Sequence, residues 1–381
     1  MPGAWEILPI IPSSNVRLDP RNATAGADER AWQKHFAEAI RDLPTLLHRV
    51  GLADHAAAGT LAADSDFPVL VPESYLRRIR PGDPRDPLLL QVLPQKSENI
   101  VVDNFTFDPL QEDVARIAPG LLHKYHGRAL LIAHGSCAVH CRYCFRRHFP
   151  YQAEPQGWED WQPALAAIRR DATLQEILLS GGDPLILSNR RLQQLLEALA
   201  AIPHVRRVRI HSRLPVVLPD RVTSGLMALL KSTRLRVIMV IHANHARELT
   251  ADCAGALEQL VEAGFMVLNQ AVLLRGVNDS VEALVELCER CIDLGVSPYY
   301  LHQLDQVRGA AHFEVPVSTG QMLIREIRKR LPGYAVPRYV WEEPGGTSKM
   351  PLESDFKKSA VSSPENHSGK PPSAASWPAS E

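Results

Sequence analysis

Three of the six cysteines, Cys137, Cys141 and Cys144, form a C-x3-C-x2-C run, Cys137-Ala-Val-His-Cys-Arg-Tyr-Cys144. Thiolates this close in sequence can converge on one soft metal centre. A structural zinc would want a fourth ligand, usually from a second C-x-x-C or H-x-x-x-H pair, and none follows nearby. His140 and His148 are at hand but lack paired spacing. A cubane iron–sulfur cluster accounts better for three cysteines, since three irons take thiolates and the fourth stays open for another ligand. The plain alternative is three unconnected buried thiols. A second reactive candidate is Lys349, which ends Gly345-Gly-Thr-Ser-Lys349. A lysine in a glycine-flanked loop can form a Schiff base with a carbonyl cofactor, although most such lysines are exposed loop charges.

The elements that must position these groups are legible from residue 129 onward. Short β-rich runs at 129–133, 176–180, 205–211, 235–242, 265–272 and 298–303 alternate with amphipathic stretches at 161–170, 189–201, 221–231, 254–263, 280–294 and 319–331. This alternation predicts a parallel sheet, because parallel neighbours need crossover helices. Open doubly wound sheets and incomplete barrels both place chemistry at the carboxyl ends of their strands. The cysteine run, Ser180-Gly-Gly-Asp-Pro184, His211 to Arg213, His242, Gln270 and Asp305 all fall where a strand stops. Cys288-x-x-Cys291 falls on the apolar face of a predicted helix and reads as core, where free cysteines act as small hydrophobes.

The chain of 381 residues carries 42 Lys+Arg against 43 Asp+Glu. Its composition is that of a globular enzyme, and the near-neutral balance argues against a polyanion binder, so no nucleic-acid partner is expected. No apolar run approaches the ~20 residues of a membrane helix, and the first residues lack a secretory signal, so no membrane partner and a cytoplasmic location are expected. Residues 1–110 read as a helical N-terminal region with helical apolar spacing at 31–50, residues 111–333 as the barrel, 334–358 as a C-terminal segment carrying Lys349, and 359–381 as a disordered tail rich in Ser and Pro.

The cysteine spacing, with an aromatic residue beside the last cysteine, resembles the signature of the radical S-adenosylmethionine (SAM) superfamily. The longer string Gly135-Ser-Cys-Ala-Val-His-Cys-Arg-Tyr-Cys-Phe-Arg-Arg-His-Phe-Pro-Tyr151 resembles its lysine 2,3-aminomutase branch, and most of all the members that supply β-lysine for elongation factor P. Pro119-Gly-Leu-Leu-His-Lys-Tyr125, Ser180-Gly-Gly-Asp-Pro184, His211-Ser-Arg-Leu-Pro215, Leu268-Asn-Gln270 and Tyr299-Tyr-Leu-His-Gln-Leu-Asp305 extend the resemblance over about 74–352. It implies a partial (β/α)6 TIM-like barrel after a helical N-terminal region. It also implies a 4Fe-4S cluster on the three cysteines, SAM as its ligand, and pyridoxal 5′-phosphate (PLP) on Lys349.

By the same resemblance, Lys124, Tyr125, Arg128 and Gln270 bind PLP, and Ser180, Gly181, Gly182, Asp183 and His242 bind SAM. Taken alone, Gly-Gly-Asp-Pro is an ordinary turn and His242 a satisfied structural histidine. Arg146 would take the substrate carboxylate, while Asp305 and Glu342 would take the ammonium of a lysine substrate. Glu342 is longer than the family's aspartate, and Glu343 could substitute. The implied reaction turns L-α-lysine into (R)-β-lysine. The implied partners are an electron donor such as flavodoxin or ferredoxin, elongation factor P with its lysine ligase, and further copies of the chain in a homo-oligomer. The rivals are an aminomutase acting on glutamate or another amino acid, and a non-catalytic cluster-binding module.

Overall fold

The computed structural model describes residues 27–54 and 67–352. The expected tail lies outside these residues. One sheet of ten strands runs in chain order: β1 (Arg116–Ala118), β2 (Leu121–Tyr125), β3 (Arg128–His134), β4 (Glu176–Gly181), β5 (Arg207–Ser212), β6 (Arg236–Ile241), β7 (Met266–Val272), β8 (Ser297–His302), β9 (Arg338–Glu342) and β10 (Lys349–Pro351). Strands β3 to β9 are mutually parallel, while β1, β2 and β10 pair antiparallel at the two ends.

Six helices make the crossovers: Trp158–Arg170, Asn189–Ala200, Ser224–Ser232, Ala251–Glu262, Val281–Asp293 and Val317–Arg330. Side chains of Ser188, Thr223 and Ser280 cap three of them. Consistently right-handed crossovers between sequential neighbours leave all helices on one face, so the sheet curls around the other. The burial pattern follows. In β4 and β5 buried residues facing the helices alternate with half-buried ones facing the hollow, Ser180 and His211 among the latter.

The two ends of the curled sheet meet through side chains. Lys124 on β2 donates to Glu342 Oε1 on β9 at 3.0 Å. The sheet is therefore an incomplete barrel whose seam is an ion pair, in line with the expected α/β fold. Strand β9 adds a seventh parallel strand to the six expected, and the sheet passes straight through the expected 333/334 boundary.

In the N-terminal region the periodic stretch 31–50 is not one helix. Helices Ala27–Ala37 and Leu43–Arg49 are separated where Ile40 pairs with Val71. Asp42 ends the irregular stretch by capping the second helix, accepting from Thr45 N at 2.8 Å, with Pro44 in its first turn.

Candidate active site

The cysteine loop follows β3 and is held from both sides. On one side β4 presses against it. A Cβ on Gly182 would lie 2.3 Å from Ser136 O, and one on Gly181, at φ +119°, 2.5 Å from His134 O. The backbones are also stitched together: Gly182 N donates to His134 O and Asp183 N to Ser136 O, both at 2.8 Å. Only glycine permits that approach. On the other side lies the N-terminal region. His140 N donates to Leu70 O at 3.0 Å and Arg142 N to Gln91 O at 2.9 Å. Glu98 accepts from Arg142 Nε at 2.8 Å and from Arg147 Nη2 at 2.7 Å, all three groups being buried.

Burial pushes the Cys137 thiol up, and the Cys144 thiol up to about 12. Neutral thiols therefore suit this loop unless a cationic centre draws off their protons. Arg213 Nη1 points at Cys141 Sγ from 2.7 Å and is itself held by Glu248 at 2.8 Å. Three thiols on one short loop make a donor set that fits a cluster held by three cysteines. Among the described residues, no three His, Cys, Asp or Glu side chains surround one position as ligands of a single ion.

The residues expected around SAM divide into two kinds. Ser180 Oγ accepts from Arg146 Nη1 at 3.0 Å. Asp183 is committed internally, accepting from Ser212 Oγ at 2.7 Å and from the backbone N of Arg213 and Leu185 at 2.8 and 3.0 Å. It ties the end of β4 to the end of β5. Burial pushes it up to about 6 against those hydrogen bonds. His242, just past β6, has a buried Nε2 with no partner among the described residues, and so do His211 and His302. Burial lowers His242 to about 4 and His211 and His302 well below the usual range, so all three rings are neutral. Orphaned polar atoms at three strand ends suit a polar ligand in the hollow. Sequence reasoning singled out His211 and His242 at strand ends and gave a ligand role to His242 alone.

Lys349 lies on β10, directly across the ladder from Glu342 on β9, and their side chains meet at 2.5 Å. Glu342 Oε1 accepts from Lys124, which also lies 3.3 Å from Glu112 Oε1. Glu112 in turn grips Arg146 with both oxygens, at 2.7 Å to Nε and 2.8 Å to Nη2. A single run thus joins Lys349, Glu342, Lys124, Glu112, Arg146 and Ser180. Burial pushes Glu342 up, but Lys349 and Lys124 outweigh it and hold the carboxyl well below the usual range.

Arg128 lies over the Tyr125 ring at 4.7 Å on the β2–β3 hairpin. Gln270 sits farther round the hollow, in register with Tyr300. Asp305, beyond β8, makes no side-chain hydrogen bond to the described residues. Burial and then the neighbouring Glu342 push it up to about 7. Glu343 is exposed and stands outside this run. Cys253, Cys288 and Cys291 are buried in the core.

Glu112 and Glu98 escaped the sequence reading. Both sit on single 3-10 turns, Glu112–Ala115 and Lys96–Asn99, where acids look like ordinary caps. Their partners lie 34 and 44 residues away, with no local pattern joining them.

No family model matches the chain. It is 42% identical over 328 residues to L-lysine 2,3-aminomutase of Escherichia coli (strain K12), covering 86% of this chain and 96% of that protein. L-lysine 2,3-aminomutase of Haemophilus influenzae is 40% identical over 322 residues, covering 84% and 95%. That of Clostridium subterminale is 36% identical over 343 residues, covering 90% and 82%. Among solved structures, SuiB of Streptococcus suis bound to S-adenosylmethionine overlaps 57% of this chain and 51% of its own, at 14% identity and a TM-score of 0.43, too loose a likeness to argue from. The aminomutase matches run nearly end to end and include the cysteine loop, so the chain belongs to the radical SAM L-lysine 2,3-aminomutase family.

Proposed function

We propose that the protein is an isomerase that converts L-α-lysine to (R)-β-lysine, using a 4Fe-4S cluster, SAM and PLP. The observation that carries this reading is the unbroken run of contacts from Lys349 to Ser180. It gathers cations suited to an aldehyde, a phosphate and a carboxylate at the same mouth as the cysteine loop. A cluster-binding module without catalysis has no use for such a convergence.

When bound, the cluster with SAM supplies the radical and PLP the conjugated system that lets nitrogen migrate. Everything else falls to the chain's own side chains. Cys137, Cys141 and Cys144 would hold three irons. Ser180, Gly181, Gly182 and His242 would receive SAM, with Asp183 shaping that loop from behind. Lys124, Tyr125, Arg128 and Gln270 would hold PLP, the cations facing its phosphate, and Lys349 would bond its aldehyde carbon. Arg146 offers N–H groups to the substrate carboxylate. Asp305, unpaired and facing the same charges, is the acceptor for the distal ammonium. Glu342 has both carboxylate oxygens on lysines, Oε1 on Lys124 and Oε2 on Lys349, which leaves Asp305 as the open acceptor. The neighbouring acids suit lysine and oppose glutamate, whose distal carboxylate would meet Asp305.

The resemblance within the family makes elongation factor P, through its lysine ligase, the destination of the product, and a flavodoxin or ferredoxin the electron donor. Anaerobic reconstitution with iron, sulfide, PLP, SAM and a reductant, followed by chromatography of the amino acids, tests the reading. β-Lysine is expected from L-lysine and no β-glutamate from L-glutamate. Cleavage of SAM without β-lysine would refute the assigned substrate.

A further inference from the structure

We propose that Glu112 is a positioning residue that sets the substrate-carboxylate fork of Arg146 and ties it to the lysine assigned to the cofactor phosphate. The inference rests on the reading of Arg146 given above and adds a residue to it. A guanidinium has five N–H donors in one plane. Glu112 takes one from Nε and one from Nη2, and Ser180 takes one from Nη1. One N–H then remains on each terminal nitrogen, the number that a second carboxylate accepts bidentately. The plane cannot readily turn, because Phe145 and Phe149 lie 4.8 and 5.8 Å from the guanidinium carbon.

Glu112 is itself fixed. Its side chain is 4% exposed, and its backbone N donates to Asp108 Oδ1 at 3.1 Å. Its Oε1 also lies 3.3 Å from Lys124 Nζ. One carboxylate thus holds in a shared geometry the two cations that meet the substrate carboxylate and the cofactor phosphate. It orients Arg146 without occupying the edge that a substrate needs.

The test compares L-lysine with L-lysinamide, which lacks the carboxylate. Both are titrated calorimetrically onto reconstituted, PLP-loaded protein without SAM, so that nothing turns over. The wild type should prefer lysine by about tenfold or more, the scale of a charge-assisted hydrogen-bond pair. Glu112→Gln removes the charge and one acceptor, and should bring the preference close to unity while lysinamide affinity stays within about threefold. Glu112→Asp keeps the charge on a shorter arm and should restore part of the preference. If Glu112→Gln does not fold, Glu112→Asp carries the test alone, with lysine weakened and lysinamide unchanged. Full preference retained in either folded variant, or equal weakening of both ligands, overturns the role of Glu112. A wild type that binds both ligands alike overturns the assignment of Arg146 instead, and the inference with it.

Discussion

The cysteine loop and the β9–β10 hairpin carry the two groups that would bind cofactors covalently, yet they are held in different ways. The loop is walled by residues distant in sequence: Glu98 between Arg142 and Arg147, Arg213 on Glu248, and Gly181 and Gly182 pressed against His134 and Ser136. Removing any of these leaves a buried charge unpaired or a backbone displaced. The hairpin rests on three register pairs, a hydrogen bond from Leu352 N to Tyr339 O at 2.9 Å, and the Lys349–Glu342 pair, whose lysine is 23% exposed. The loop proposed to hold the cluster is the rigid region, and the lysine proposed to bond PLP sits in the yielding one.

The strongest way to break this contrast is a pair of variants. Glu98→Gln should cost about 3–5 kcal/mol in denaturant unfolding, the scale of breaking a buried ion pair, and should lower iron incorporation. Lys349→Ala should change unfolding by less than about 1 kcal/mol, since the lost pair is partly exposed. It should nevertheless abolish the PLP adduct trapped by borohydride and read by mass spectrometry. If Glu98→Gln leaves both stability and iron content intact, the N-terminal region does not hold the loop.

A weaker effect sharpens the electrostatic side. Burial raises Asp305 from the ordinary aspartate range to about 7. Between about pH 4 and 7 the folded protein keeps a proton that the unfolded chain has released, so this group's contribution to stability falls as pH rises. An ammonium ligand needs the ionised form, so lysine binding should weaken below pH 7, by up to about tenfold per pH unit. Asp305→Asn should bind lysine weakly and without that dependence. A wild-type affinity flat across this range would remove Asp305 from the ammonium site.

The smallest expected effect lies in the hairpin turn. Gly345 has φ +72°. Gly345→Ala should cost about 1 kcal/mol, confined to the hairpin, because side chains disfavour that conformation. Amide exchange should quicken at Met350 while exchange in the strands around the cysteine loop stays unchanged. Faster exchange in both places would mean that the two regions open together.

The central strands and their helices were legible because alternating apolar residues and polar helix caps are local signals. The edge strands were not. Arg116–Ala118 and Lys349–Pro351 have three residues each and exist only through their partners, so no window of sequence contains the cause. The site shows the same division. Cysteine spacing and the glycine pair are compact motifs, whereas Glu112 acts through residues on other elements. Asp183 was found by position but its hydrogen bonds to the end of β5 were not, because only the fold places β5 beside β4.

The seam between β2 and β9 has one further consequence. Most barrels close with a ladder of backbone hydrogen bonds, and prising them apart means unzipping a sheet. Here the join is a clasp, Lys124 of β2 on the Glu342 carboxylate of β9, whose other oxygen Lys349 holds within the hairpin. Such a clasp loosens when an anion claims a lysine, and fastens again when the anion leaves, with no strand unpaired. Ionic strength and cofactor occupancy, rather than temperature alone, should set how often the wall stands ajar.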